Sequence, residues 1–166
     1  MSVGPDDGLR ALVRDHVRAV LGSPVHWVSL ESASTAAGIP DLVGTWRGRT
    51  AWVECKATRY WALGSLTAFQ VGHALALARC GGTCWVLTRR RGEARGAAAK
   101  RRGGAVGPYD ELWLHPGATA VELRRGGLLA VFPHLRAGGG PARWPWEELG
   151  RRVFGVGGDS PVDAGG

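Results

Sequence analysis

The stretch Gly38-Ile39-Pro40-Asp41-Leu42-Val43-Gly44-Thr45-Trp46-Arg47-Gly48-Arg49-Thr50-Ala51-Trp52-Val53-Glu54-Cys55-Lys56-Ala57 decides how this chain folds. The runs Asp41 to Trp46 and Thr50 to Ala57 are rich in β-branched and aromatic residues and flank Arg47-Gly48, a pattern that predicts two strands joined by a short turn. With a two-residue turn Trp46 faces Arg49, and counting back along both strands brings Asp41 opposite Glu54. Directly opposed residues of an antiparallel pair have Cβ atoms about 4.5–5.5 Å apart and project to the same face, so the two carboxylates are expected to converge. Such a pair is self-repelling, and a divalent cation is the natural means of keeping both members ionised. Alternation along the second strand puts Trp52, Glu54 and Lys56 on that face and turns Val53, Cys55 and Ala57 to the other. An ammonium there can orient or deprotonate an attacking water, or neutralise charge developing on a phosphoryl group, which is the chemistry of phosphodiester hydrolysis. The plain alternative is an exposed pair of acids with Lys56 as an ordinary cross-strand partner of little energetic weight.

Upstream, Leu9, Leu12, Val13, Val17, Val20 and Leu21 recur at three- and four-residue steps, which predicts a helix capped by Asp6 or Asp7 and ended by Gly22 and Pro24. Val25 to Leu30 is strand-like, and Glu31 to Gly38 lacks periodicity and is expected to be a loop facing the carboxylates. Downstream, Tyr60 to Gly64 is a second loop. Ser65 or Thr67 then starts a helix through Phe69, Val71, Leu75, Leu77 and Ala78, stopped by Gly81-Gly82, and Thr83 to Thr88 is a strand. Arg89 to Gly107 carries Arg89, Arg90, Arg91, Arg95, Lys100, Arg101 and Arg102 against the single acid Glu93, and is expected to be a mobile basic loop that grips phosphates. Short strands are expected at Glu111 to Leu114, Ala120 to Arg124 and Leu128 to Phe132, with a closing helix from Trp146 to Phe154. Residues 1–154 make one domain, with a core at about 9–89, a basic loop at 89–107 and a β-rich extension at 108–154, followed by a flexible tail at 155–166.

A chain of 166 residues with 45% hydrophobic content can bury a core of ordinary size. Lys and Arg number 21 against 14 acids, a formal charge of +7 that favours polyanionic partners, nucleic acid first among them. The three cysteines, Cys55, Cys80 and Cys84, form no CxxC pair, so neither a zinc site nor a disulfide scaffold is indicated. The five histidines, His16, His26, His73, His115 and His134, show no metal-ligand spacing. No secretory leader or spanning stretch is evident, and a cytoplasmic protein without a membrane partner is expected. Of the tryptophans, Trp27, Trp46 and Trp85 are expected to pack in the core, while Tyr60 and Trp61, on the loop after Lys56, are placed to touch a nucleic acid.

Gly38-Ile39-Pro40-Asp41-Leu42 followed by Trp52-Val53-Glu54-Cys55-Lys56 resembles the motif of the PD-(D/E)xK nuclease superfamily, and the arrangement over about Leu9 to Arg89 looks most like archaeal-type and phage Holliday junction resolvases, with VRR-NUC nucleases next. The resemblance implies an α/β, restriction-endonuclease-like αβββαβ core with a mixed central sheet flanked by helices. It further implies a homodimer acting on four-way DNA junctions, and Mg²⁺, or Mn²⁺ in its place, held by Asp41, Glu54 and the backbone carbonyl of Cys55, with Lys56 catalytic. Two lesser features map onto Asp15, an acid on the first helix, and onto a serine before the Pro-Asp pair, where Ser29, Ser32 and Ser34 are available with Glu31, Ser32 being preferred. Gln70 falls where VRR-NUC-like proteins turn a glutamine toward the site, but Thr67-Ala68-Phe69-Gln70 also matches a capping box. Other readings are an endonuclease of the same fold acting on flaps, nicked or sequence-specific duplex, and a basic DNA-binding module without turnover.

Overall fold

The computed structural model describes residues 8–22, 24–30, 38–93 and 108–156. Helix α1 spans Leu9–Val20, and its buried stripe Leu9, Val13 and Val17 follows the predicted spacing. It is followed by β1 (His26–Ser29), β2 (Leu42–Trp46), β3 (Arg49–Thr58), α2 (Ala68–Arg79) and β4 (Thr83–Glu93). Strand β5 (Pro108–Pro116), a 3-10 turn, helix α3 (Ala120–Gly126), β6 (Leu135–Ala137) and helix α4 (Trp146–Val153) complete the described chain. The fold is α/β: six strands form one mixed sheet in sequence order, with helices on both faces. Only the β3–β4 neighbours are parallel, because α2 carries the chain back between them; every other pair is antiparallel.

The two faces bury different clusters. On one, Leu42, Trp46, Val53, Leu87, Leu112 and Leu114 pack under α1 and α4. The indole of Trp85 on this face donates to the Val153 carbonyl at 2.9 Å and pins α4 to the sheet. On the other, Cys84, Val86 and Trp113 pack under Val71 and Ala74 of α2 and Ala120 and Leu123 of α3. Trp27, Trp46 and Trp85 are all core residues, as their positions predict.

Three expectations are corrected. Arg89, Arg90 and Arg91 do not belong to a mobile loop, because β4 runs on to Glu93 and pairs with β5 as far as Pro108. The reason is cross-strand charge: Asp110 and Glu111 on β5 meet the arginines directly, and opposite charges so placed stabilise a ladder. Ala120 to Arg124 is helical rather than extended, since Ala120 and Leu123 are buried at a helical step and Gly127, at φ +77°, ends the helix. Leu128 to Phe132 forms turns instead of a strand, with only Leu128 fully buried. The short edge strand β6 was not anticipated. Expectations about Asp6, Asp7, residues 31–37, residues 94–107 and the tail from 157 onward lie outside the described residues. Among the described residues, no helix is long and apolar enough to cross a membrane.

Candidate active site

The β2–β3 hairpin turns at Arg47-Gly48, with Trp46 opposite Arg49 and Leu42 opposite Val53. Arg47 (φ +49°) and Gly48 (φ +75°) both have positive φ, the conformation that a tight two-residue hairpin turn requires. One step beyond the last pair, Asp41 leaves the ladder, and its side chain replaces it: Oδ2 accepts the Cys55 N–H at 2.8 Å. Asp41 is held at this place from behind, because Gly38, at φ +100°, passes so close to α2 that a Cβ there would lie 2.6 Å from the Phe69 carbonyl carbon. Only glycine combines that φ with that approach.

Glu54 and Lys56 lie on the face of β3 beneath α2, and both are buried, at 3% and 7% exposure. Glu54 Oε1 accepts from Lys56 Nζ at 2.8 Å and from Gln70 Nε2 at 2.6 Å. Glu54 Oε2 is buried, with no hydrogen-bond partner among the described residues. The Glu54 carboxyl is pushed up to about 8, chiefly by burial and then by the adjacent Asp41 charge, with Lys56 opposing. A buried carboxylate oxygen beside a second carboxylate charge calls for a proton, a donor or a cation, and the oxygen atoms of Asp41 and Glu54 are of the kind that binds a hard divalent ion. Among the described residues no group of three or more His, Cys, Asp or Glu side chains forms a metal cluster. An ion here would therefore rest on Asp41, Glu54 and backbone or solvent oxygen, for which the Cys55 carbonyl, between Glu54 and Lys56, is the neighbouring candidate.

Gln70 fulfils both of its alternative roles at once. Its Oε1 accepts the Thr67 N–H at 3.0 Å and Thr67 Oγ1 accepts the Gln70 N–H at 3.2 Å, closing the capping box. The amide nitrogen left over is the one that reaches Glu54. Helix start and site are thus held by one side chain.

Asp15 is not brought to this cluster. It is exposed on the side of α1 opposite Leu9, Val13 and Val17, and α1 covers the sheet face opposite to Glu54. Ser29 accepts from Arg14 at 3.1 Å on that same side. Ser32, Ser34 and Glu31, and likewise Arg95, Lys100, Arg101 and Arg102, lie outside the described residues. Arg89 is buried and bonds Asp110 through Nε at 2.9 Å and Nη2 at 2.7 Å. Arg90 bonds Glu111 at 2.8 Å and lies between the rings of Trp61, at 3.7 Å, and Tyr109, at 4.0 Å. These two arginines are committed to the sheet, whereas Arg91 is exposed. Trp61 is held in place by Arg90 and by an edge contact with Trp113, while Tyr60 stands 74% exposed.

Sequence reasoning missed Arg90, Glu111 and Tyr109 as the frame around Trp61. The available signal was the acid pair Asp110-Glu111, one strand away from a run of arginines. Cys84, also beneath α2, is no nucleophile: burial pushes its thiol up to about 12, the Glu54 charge adding to the effect. His115 is fully buried and lowered in pKa by that burial, stacking on Trp113. No protein-family model matches the sequence, and no curated protein matches it.

Proposed function

We propose that the chain is a Mg²⁺-dependent, structure-selective DNA endonuclease with a restriction-endonuclease-like core, acting as a homodimer on branched DNA, four-way junctions above all. The observation that carries this reading is the meeting of Asp41, Glu54 and Lys56 where β2 begins, with Glu54 Oε2 left without a partner among the described residues. Support also comes from the element order α1-β1-β2-β3-α2-β4, in which Asp41 immediately precedes the second strand and Glu54 and Lys56 fall on the third. A bound divalent ion would supply Lewis-acid polarisation of a phosphoryl oxygen at this place. The protein's own part is positional. Asp41 is fixed by the Cys55 amide and Glu54 by Gln70 and Lys56; in this reading Lys56 Nζ would donate to a phosphoryl oxygen or orient water toward phosphorus. The +7 charge favours the polyanion as partner.

The test is incubation with labelled four-way junction, flap, linear duplex and single strand, in Mg²⁺ and in EDTA. Symmetric nicking of the junction in Mg²⁺ alone is expected. Cleavage of every substrate alike would leave an endonuclease without branch selectivity, and shifted but uncut DNA would leave a binding module. Glu54→Gln and Lys56→Ala are expected to abolish cleavage while DNA binding persists.

A further inference from the structure

Two loops from distant parts of the chain are tied together on the face that carries Glu54 and Lys56. The first, residues 59–62, follows β3 directly; the second, residues 127–132, follows α3. The Leu128 N–H donates to the Trp61 carbonyl at 2.8 Å, and Gly127 lies so close that a Cβ would stand 2.3 Å from that same oxygen. Leu128 is fully buried and anchors the second loop. Its ends are fixed by the Ala130 N–H bonded to the Gly127 carbonyl at 3.1 Å and the His134 N–H bonded to the Leu114 carbonyl at 2.7 Å. The first loop is fixed by the Tyr109 hydroxyl, which donates to the Arg59 carbonyl at 2.6 Å, and by the Thr58 hydroxyl, which accepts the Tyr60 N–H at 3.0 Å.

From this frame four apolar side chains project into solvent: Tyr60 at 74%, Trp61 at 39%, Leu129 at 62% and Phe132 at 93% exposure. Scattered exposed hydrophobics are unremarkable, but these belong to two loops that are bonded to one another and restrained by hydrogen bonds and buried anchors. Exposed arginines flank them, Arg59 before Tyr60 and Arg124 and Arg125 before Gly127, with Glu122 the acid on α3. Aromatic faces set among guanidinium groups are what an unpaired base and its phosphate need. A second copy of this chain fits less well, since a two-fold contact would bring the same arginines against one another.

We propose that loops 59–62 and 127–132 form one platform for unpaired or unstacked bases near the scissile phosphodiester, so that DNA opened at a branch is selected over continuous duplex. The proposal rests on the endonuclease reading for the word scissile, and its test does not require turnover. In EDTA, anisotropy titrations would compare a four-way junction carrying 2-aminopurine at the branch with a linear duplex of the same length, at fixed salt. The wild type is expected to favour the junction and to alter the 2-aminopurine fluorescence. Leu129→Ala with Phe132→Ala, checked for native stability by thermal melting, is expected to weaken junction binding about tenfold or more and to leave duplex binding unchanged, while Phe132→Trp retains the preference. Junction affinity unchanged in the double variant overturns the platform. So does loss of self-association in sedimentation with no change in junction affinity, which would make the surface a contact between copies. If no substrate is cut in Mg²⁺ yet the preference and its loss are both observed, the catalytic reading fails and the platform stands.

Discussion

Removing the charge of Glu54 should change how stability depends on pH, and the size of the change follows from its surroundings. Its carboxyl is pushed up from 4.5 to about 8, chiefly by burial and then by the Asp41 charge. The folded chain therefore holds this proton more tightly than the unfolded chain does. The resulting stabilisation is fully present below about pH 4.5 and is lost as pH rises through about 8. Between about pH 5 and about pH 9 the loss spans roughly three pKa units, on the order of 4 kcal/mol at about 1.36 kcal/mol per unit. Glu54→Gln keeps the shape and an acceptor for Lys56 and Gln70 but has no proton to lose over this range. Urea unfolding of both proteins in EDTA across the range gives the measurement, and the difference between them removes every other titrating group, His115 and His134 included. The difference should shift by several kcal/mol in favour of the variant as pH rises. Millimolar Mg²⁺ at about pH 9 should restore the wild type selectively, because an ion that binds only the folded state stabilises it by mass action. A difference that does not vary with pH, or equal stabilisation of the variant by Mg²⁺, would refute the claim that buried Glu54 and the half-buried Asp41 form a cation-seeking pair.

Gly38→Ala must adopt a φ of +100° and push against the Phe69 backbone, so a loss of about 2–3 kcal/mol in urea unfolding is expected; an unchanged midpoint would show that the approach to α2 is not tight. Arg90→Ala breaks an ion pair whose side chains are 11% and 15% exposed, and should lower stability by about 3 kcal/mol. Arg91→Ala, at an exposed position, should reduce the slope of log affinity for DNA against log salt by about 1; an unchanged slope would remove Arg91 from the interface. Gln70→Ala removes the side-chain half of the capping box and a bond to Glu54, while Thr67 still caps the helix, so a loss of about 1 kcal/mol together with weaker Mn²⁺ binding by calorimetry is expected, and a stability loss with unaltered Mn²⁺ affinity would make Gln70 a capping-box residue alone.

The elements legible in the sequence were those whose burial has a single period. Leu9, Val13 and Val17 repeat at helical steps, and the hairpin around Arg47-Gly48 has one turn length that fits, so its register followed by counting. What was misjudged depended on distant partners. A run of arginines looks like a solvated loop until Asp110 and Glu111 are laid beside it, and nothing local to Arg89–Arg91 specifies that pairing. Ala120 to Leu123 is too short for its period to distinguish helix from strand; the burial of Ala120 and Leu123 together in the cluster beneath α2 decides it.

The candidate site was legible for a related reason. Two acids brought together by a turn of fixed length need no knowledge of the rest of the fold, so Asp41 and Glu54 could be paired from the chain alone. The burial of Glu54 could not be inferred in the same way, because it depends on α2 and on Gln70, which reaches down from the helix start. That burial matters most for function. An exposed carboxylate pair in water binds a divalent ion weakly, whereas here Asp41 spends one oxygen on the Cys55 amide and Glu54 keeps one oxygen buried and without a partner among the described residues. The fold thus holds a locally unfavourable arrangement in place through the capping box, the Gly38 approach and the hairpin register, and a bound cation would relieve it.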